Sequence, residues 1–201
     1  MNEKPLVVFL YIETENCADY GFDAYDEVDL WEFRNKTFIG KPLPAGWKLP
    51  RHTLGNPKLP LLDFVHGYFQ APFVSQQAVN ILRDPIGAAA EFRTIGRLKG
   101  IEYYVMNVVL LAECLDLRRS GIKYSPDDPS RIIGIKPFIF DSNKIPDAAV
   151  FKVPQDPGRV FATQQLVDLV RKHRLTGVGF ENPENIGIAT INRVFDDLPL
   201  R

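Results

Sequence analysis

Residues 101–109 read Ile-Glu-Tyr-Tyr-Val-Met-Asn-Val-Val. Aromatic and β-branched side chains dominate this run and fit a pleated, half-buried surface, so it predicts a β-strand. Working outward, Ile132–Phe140 and Ala148–Val153 have the same character and are set apart by Pro, Asp, Ser and Asn turn residues. Further short strands are expected at Val178–Phe180 and Ile188–Val194, and the apolar run Leu6–Ile12 supplies one near the start. Gly-Arg-Leu-Lys-Gly at 96–100 leads into the tyrosine strand and reads as a hairpin turn.

Two helices interrupt the strands. Phe73-Val74-Ser75-Gln76-Gln77 opens the first, with Ser75 as N-cap, Ala78, Val79, Ile81 and Leu82 as the apolar face, and Asp84-Pro85 as the stop. Phe161-Ala162-Thr163-Gln164-Gln165 opens the second in the same way. There Thr163 caps, Leu166, Val167, Leu169 and Val170 form the apolar face, and Arg171 to Arg174 put positive charge at the C-terminal end before Gly177. The likeness of 73–82 to 161–170 reads as an old duplication or as convergence on a strand running into a capped helix. Strands outnumber helices and separate them, so the expected fold is α+β: a mixed, largely antiparallel sheet with few helices.

The N-terminal third has a different texture. From Gly40 to Pro72, Pro42, Pro44, Pro50, Pro57, Pro60 and Pro72 recur with glycines, which disfavours regular helix and central strands and favours an extended, irregular loop. Trp47, Leu49, Leu54, Leu61 and Phe64 in the same stretch imply that it is packed on the body. Residues 1–72 are therefore read as an acidic, Pro-rich region laid on a body of residues 73–201, the two forming one structural domain.

Charge is segregated. Between positions 13 and 32 stand eight acidic residues, Glu13, Glu15, Asp19, Asp23, Asp26, Glu27, Asp29 and Glu32, and no Lys or Arg. This stretch carries −8 in a chain whose formal net charge is −1, so the remaining residues sum to +7. Tyr20, Phe22, Tyr25, Trp31 and Phe33 are interleaved with the carboxylates, whereas a disordered acidic tail is poor in aromatics. Two readings follow. The stretch is a solvated loop with aromatic anchors, or it is a surface that steers and docks a basic partner and repels nucleic acid.

Other signals are few. No apolar run approaches the roughly 20 residues of a membrane span, and Leu6–Ile12 lacks the flanks of a signal peptide, so a soluble, cytoplasmic protein is expected. Cys17 and Cys114 have neither CxxC nor Cys/His spacing, which implies reduced, unligated thiols and no metal site. His52, His66 and His173 have no partner at motif spacing, and no serine lies in a GxSxG elbow. Neither a phosphate-binding glycine loop nor a cofactor motif is present, so no cofactor is expected. Asp63, His66 and Tyr68 stand close enough in sequence to form an acid-base group in a cleft beside the Pro-rich loop, which keeps an enzyme reading open. A protein-interaction domain, for example a subunit of a larger assembly, is a third reading.

Tyr103-Tyr104-Val105-Met106-Asn107-Val108-Val109, then Cys114-Leu115-Asp116-Leu117 and Ser120, resembles the Tyr-Tyr-x-x-Asn-Val and Cys-Leu-Asp-x-x-x-Ser pattern of a bacterial family of immunity proteins of polymorphic toxin systems. Val150-Phe151-Lys152, Val160-Phe161-Ala162-Thr163 and Leu175-Thr176-Gly177-Val178-Gly179-Phe180 follow in the same order, and the resemblance covers about residues 70–182. The pattern residues Tyr103, Tyr104, Asn107, Asp116 and Ser120 read as structural: the tyrosines point to opposite faces of one strand, and the polar groups satisfy backbone at a strand end and a turn. The resemblance implies a cytoplasmic bacterial protein, not an enzyme, that binds and neutralises a cognate toxin in competition systems such as contact-dependent or type VI secretion. The toxin is often a nuclease in such systems. A nuclease is basic where it holds phosphates, so the expected toxin-binding residues are Glu13, Glu15, Asp19, Asp23, Tyr25, Asp26, Glu27, Asp29, Trp31 and Glu32.

Overall fold

The computed structural model describes residues 6–12, 17–22, 37–49, 52–66 and 71–185. In chain order, β1 (Val7–Ile12), β2 (Asp19–Phe22), β3 (His52–Gly55), β4 (Phe64–Val65) and β5 (Phe73–Ser75) precede helix α1 (Gln76–Ile86). Strands β6 (Ala90–Leu98), β7 (Ile101–Val108), β8 (Ile122–Tyr124), β9 (Ile132–Ile135), β10 (Val150–Val153) and β11 (Asp156–Thr163) follow. Helix α2 (Gln164–His173) and β12 (Val178–Glu181) complete the order. Two four-stranded antiparallel sheets, β10-β11-β1-β12 and β4-β5-β7-β6, and two strand pairs, β2-β3 and β8-β9, make this a mixed α+β fold that is mostly sheet.

Strands β1 and β7 position everything else, because each buries both of its faces. In β1, Val8 and Leu10 face a main core shared with Ala78, Val79 and Leu82 of α1 and Leu166, Val167 and Val170 of α2. Val7 and Phe9 face a second cluster around Phe138, Phe151 and Phe161. In β7, Met106 and Val108 enter the main core, while Tyr103 and Val105 line a third cluster with Phe38, Leu43, Val65 and Phe73. The period-2 alternation of a strand thus divides the interior into compartments, and each fully buried aliphatic side chain contributes about 1.5–3 kcal/mol. Both helices lie amphipathically on the main core.

Several local expectations need correction. Helix α1 does not stop at Asp84-Pro85; Pro85 sits in its last turn and the helix runs to Ile86, where the Gly87 N–H closes onto Arg83 O. Helix α2 ends at His173 with Arg174 in the left-handed conformation, three residues before Gly177. Thr163 is its N-cap residue but makes no side-chain cap bond; its hydroxyl donates to Ala148 O at 2.9 Å. The 96–100 stretch divides: Lys99-Gly100 is the two-residue turn with positive φ at both positions, whereas Gly96 lies inside β6 at a register shift. Residues 132–140 contain only the short β9, followed by an isolated bridge from Phe140 to Leu115. Ile188–Val194 lies outside the described residues. Among those residues no helix is long and apolar enough to cross a membrane.

Candidate functional site

The acidic stretch is approached from both ends by described segments. On its N-terminal side Cys17 and Ala18 are buried, the Ala18 N–H bonds Pro60 O at 2.9 Å, and β2 pairs with β3 in the register Asp19↔Gly55 to Phe22↔His52. Of the predicted toxin-binding residues only Asp19 falls within the described chain, on β2. Glu13, Glu15, Asp23, Tyr25, Asp26, Glu27, Asp29, Trp31 and Glu32 lie outside it. The chain is described again from Thr37, and residues 37–49 form a strap over β6 and β7.

Three polar side chains of the body hold this strap. Asn107 on β7 donates to Lys41 O at 2.8 Å and to its cross-strand neighbour Glu91 at 2.9 Å. The Leu43 N–H donates to the same Glu91 oxygen, whose carboxylate also pairs with Arg93 at 3.1 Å. Lys152, on the fully buried strand Val150–Val153, donates from Nζ to Phe38 O. Its own backbone is fixed on both sides, Lys152 N to Leu110 O and Ala112 N to Lys152 O. Burial, partly offset by Asp156, pulls the Lys152 amine down to about 8. The strap's apolar side chains Phe38 and Leu43 fill the third cluster, and Phe38 meets Trp47 edge-on at 5.8 Å.

The other pattern residues tie neighbouring segments together. Tyr103 is buried and donates to Leu62 O at 2.8 Å; burial first, then the Asp63 charge, pushes its phenol up to about 12. Tyr104 turns to the opposite face and donates to Gln76 on α1, its phenol raised by burial and then by Glu102. Asp116 accepts from the Arg118 and Arg119 N–H groups at 3.0 and 3.1 Å, closing the turn that Ser120 stitches to both backbone groups of Ile139. Cys114 is buried in the second cluster, and burial pushes its thiol up to about 11, the opposite of what a nucleophile needs.

Asp63 and His66 are both described, but Tyr68 is not. The Asp63 carboxylate accepts from Ser75 Oγ at 2.8 Å and from Thr176 N and Oγ1, each at 3.1 Å, so it knots β4, the start of α1 and the segment after α2. This is a bracing role, and every oxygen of the carboxylate is engaged. An open hollow of about 320 Å³ lies at the start of α2, lined by Leu6, Ile145, Thr163 and Gln164. On its wall Gln165 donates to Asp147 at 2.8 Å. Among the described residues no group of three or more His, Cys, Asp or Glu could hold a metal.

The sequence of the braced body matches the model of an immunity protein family, Imm11, over residues 62–185, more than half the chain. The chain belongs to the Imm11 immunity protein family. No curated protein matches it. The Imm11 match contains β4 to β12, both helices, Asp63, Glu91, Asn107 and Lys152, while β1 to β3, the acidic stretch and the strap precede it. Lys152 and Glu91 escaped the sequence reading as individual positions. Lys152 did leave a signal, a lone cation inside the apolar run Val150-Phe151-Lys152-Val153.

Proposed function

We propose that this Imm11 chain neutralises a cognate bacterial toxin by binding it through the acidic stretch Glu13–Glu32. The observation that carries the reading is a division within one chain. The Imm11 body is a braced scaffold, and the −8 stretch lies outside the family match, flanked by β1, which pairs with β11 and β12 of that body, and by the strap that Asn107 holds. Tyr25 and Trp31 supply aromatic anchors at the centre of the contact, and the carboxylates supply steering toward a cationic surface. A nuclease presents such a surface where it holds phosphates, so the toxin class that fits best is a nuclease whose substrate field the inhibitor occupies. Such a toxin acts inside the cell, which places the chain in the bacterial cytoplasm.

Co-expression with the protein encoded directly upstream tests the reading. Growth rescue together with a co-purifying complex supports it, and a free chain with no rescue sinks it. Within a complex, the triple charge reversal Asp26→Lys, Glu27→Lys, Asp29→Lys slows association, most at low salt. Unchanged affinity in that variant removes the acidic stretch from the contact.

A further inference from the structure

The strap is held by an unusual set of contacts. Lys152 Nζ meets Phe38 O, Asn107 Nδ2 meets Lys41 O, and Leu43 N meets Glu91 Oε1. Every one of these body side chains engages main chain, and none of these bonds is to a strap side chain. Lys152 is 1% exposed and forms no ion pair among the described residues. An unpaired ammonium in that position costs stability that an apolar side chain of similar size would recover. Asn107 is likewise fully buried and leaves its Oδ1 without a partner among the described residues.

The strap itself carries backbone strain where it is held. Phe38 adopts a φ of 60°, uncommon for a bulky residue and maintained only where surrounding contacts over-determine it. Gly40, at φ 83°, lies against Leu111, whose side chain fills the space that a Cβ would take. Two costly polar burials and a strained turn therefore converge on six residues, 38–43, next to the acidic stretch in sequence.

We infer that Glu91, Asn107 and Lys152 form a socket that reads main chain and positions Phe38–Leu43 for toxin recognition. The inference rests on the proposed function and deepens it. Because the three polar contacts see carbonyls and an N–H, the socket seats a strap without dictating its exposed side chains. An Imm11 body of this design could carry N-terminal segments of differing sequence, and hence of differing toxin specificity, on one scaffold. The socket residues are positioning residues: they touch the strap, and the strap sets one end of the recognition segment.

The test uses the full chain and its purified toxin complex. Lys152→Met and Asn107→Leu are each read by hydrogen exchange over 37–49, by urea unfolding and by toxin affinity. The expected result is lost protection confined to the strap, an unfolding midpoint unchanged or raised for Lys152→Met, and a Kd weakened about ten-fold through lost preorganisation. Glu91→Ala, which touches the strap from a partly exposed site, gives the same local loosening if a core variant misfolds. Replacing the exposed Lys41 and Pro42 side chains by Ala leaves strap protection intact, and its loss there would overturn the main-chain reading. A freed strap with wild-type toxin affinity overturns the positioning role while leaving the proposed function standing. If the wild-type chain binds no toxin, the proposed function and the positioning role fall together, and hydrogen exchange still decides whether the socket holds the strap.

Discussion

The units Phe73–Ile86 and Phe161–His173 start from nearly the same sequence and end with different wiring. Both run a strand into a helix with no intervening loop, and both place a glutamine that donates four residues on, Gln76 to Asn80 and Gln164 to Asp168, at 2.7 and 2.6 Å. The hydroxyl at the junction separates them. Ser75 accepts from the Ala78 N–H at 3.1 Å and donates to Asp63, serving helix and tertiary brace at once. Thr163 gives its proton to Ala148 O and makes no cap bond. A shared local motif therefore specifies where a helix starts, while the nearest acceptor across the fold decides what the cap residue does.

The strongest way to break this contrast lies just beyond the second unit. Gly177 combines a φ of 83° with a backbone carbonyl, Phe64 O, 2.1 Å from where a Cβ would stand. Gly177→Val should destabilise the protein by about 4 kcal/mol in urea unfolding, since both strain and displaced backbone contribute. Asp63→Ala removes the brace that joins the start of the first unit to the segment after the second, leaving Ser75 Oγ and the Thr176 N–H without their acceptor. A loss of about 3 kcal/mol is expected from unsatisfied polar groups, with early exchange of the α1 amides.

The strand beside the second unit should respond to alkali, through Lys152 on β10, which pairs with β11. Burial lowers this amine from 10.5 to about 8 in the fold. Between those pH values the unfolded chain holds a proton that the folded chain has lost, so stability rises with pH across the window. Below about 8 both states are charged and the full burial penalty applies. Urea midpoints measured from pH 7 to pH 9 should climb by an amount corresponding to roughly 1 kcal/mol, and Lys152→Met should flatten the climb; above that window the raised Cys114 thiol and Tyr103 phenol oppose it. The direct comparison of the junctions is the sharpest. Ser75→Ala should cost about 1.5 kcal/mol and Thr163→Val well under that, about 0.5, because only the first removes a cap. Equal losses would erase the distinction between the units.

Much of the secondary structure was legible because its signals are local. The β7 alternation, the two apolar helix faces and the Val7–Ile12 strand follow from spacing over a few residues. The β2–β3 pair and the outer strand β6 were not read, since His52–Gly55 carries turn residues and β6 is interrupted by Gly96 at its register shift. The family resemblance over about 70–182 agrees with the Imm11 match over 62–185. The socket was illegible for a plainer reason: its bonds join residues 48, 66 and 114 positions apart. No window of sequence contains both ends of such a bond.

By itself, then, the sequence determined the α+β class, the two helix starts, the segregation of −8 into one stretch and the family to which the body belongs. These depend on periodicity, composition and residue order, which the chain carries wherever it is. Tertiary structure alone decided that Ser75 caps while Thr163 does not, that Asp63 is a brace, and that a lysine in an apolar strand ends on the carbonyl of Phe38. A hydrogen bond forms with whichever partner folding brings within about 3 Å, and that partner is chosen by the packing of the whole chain.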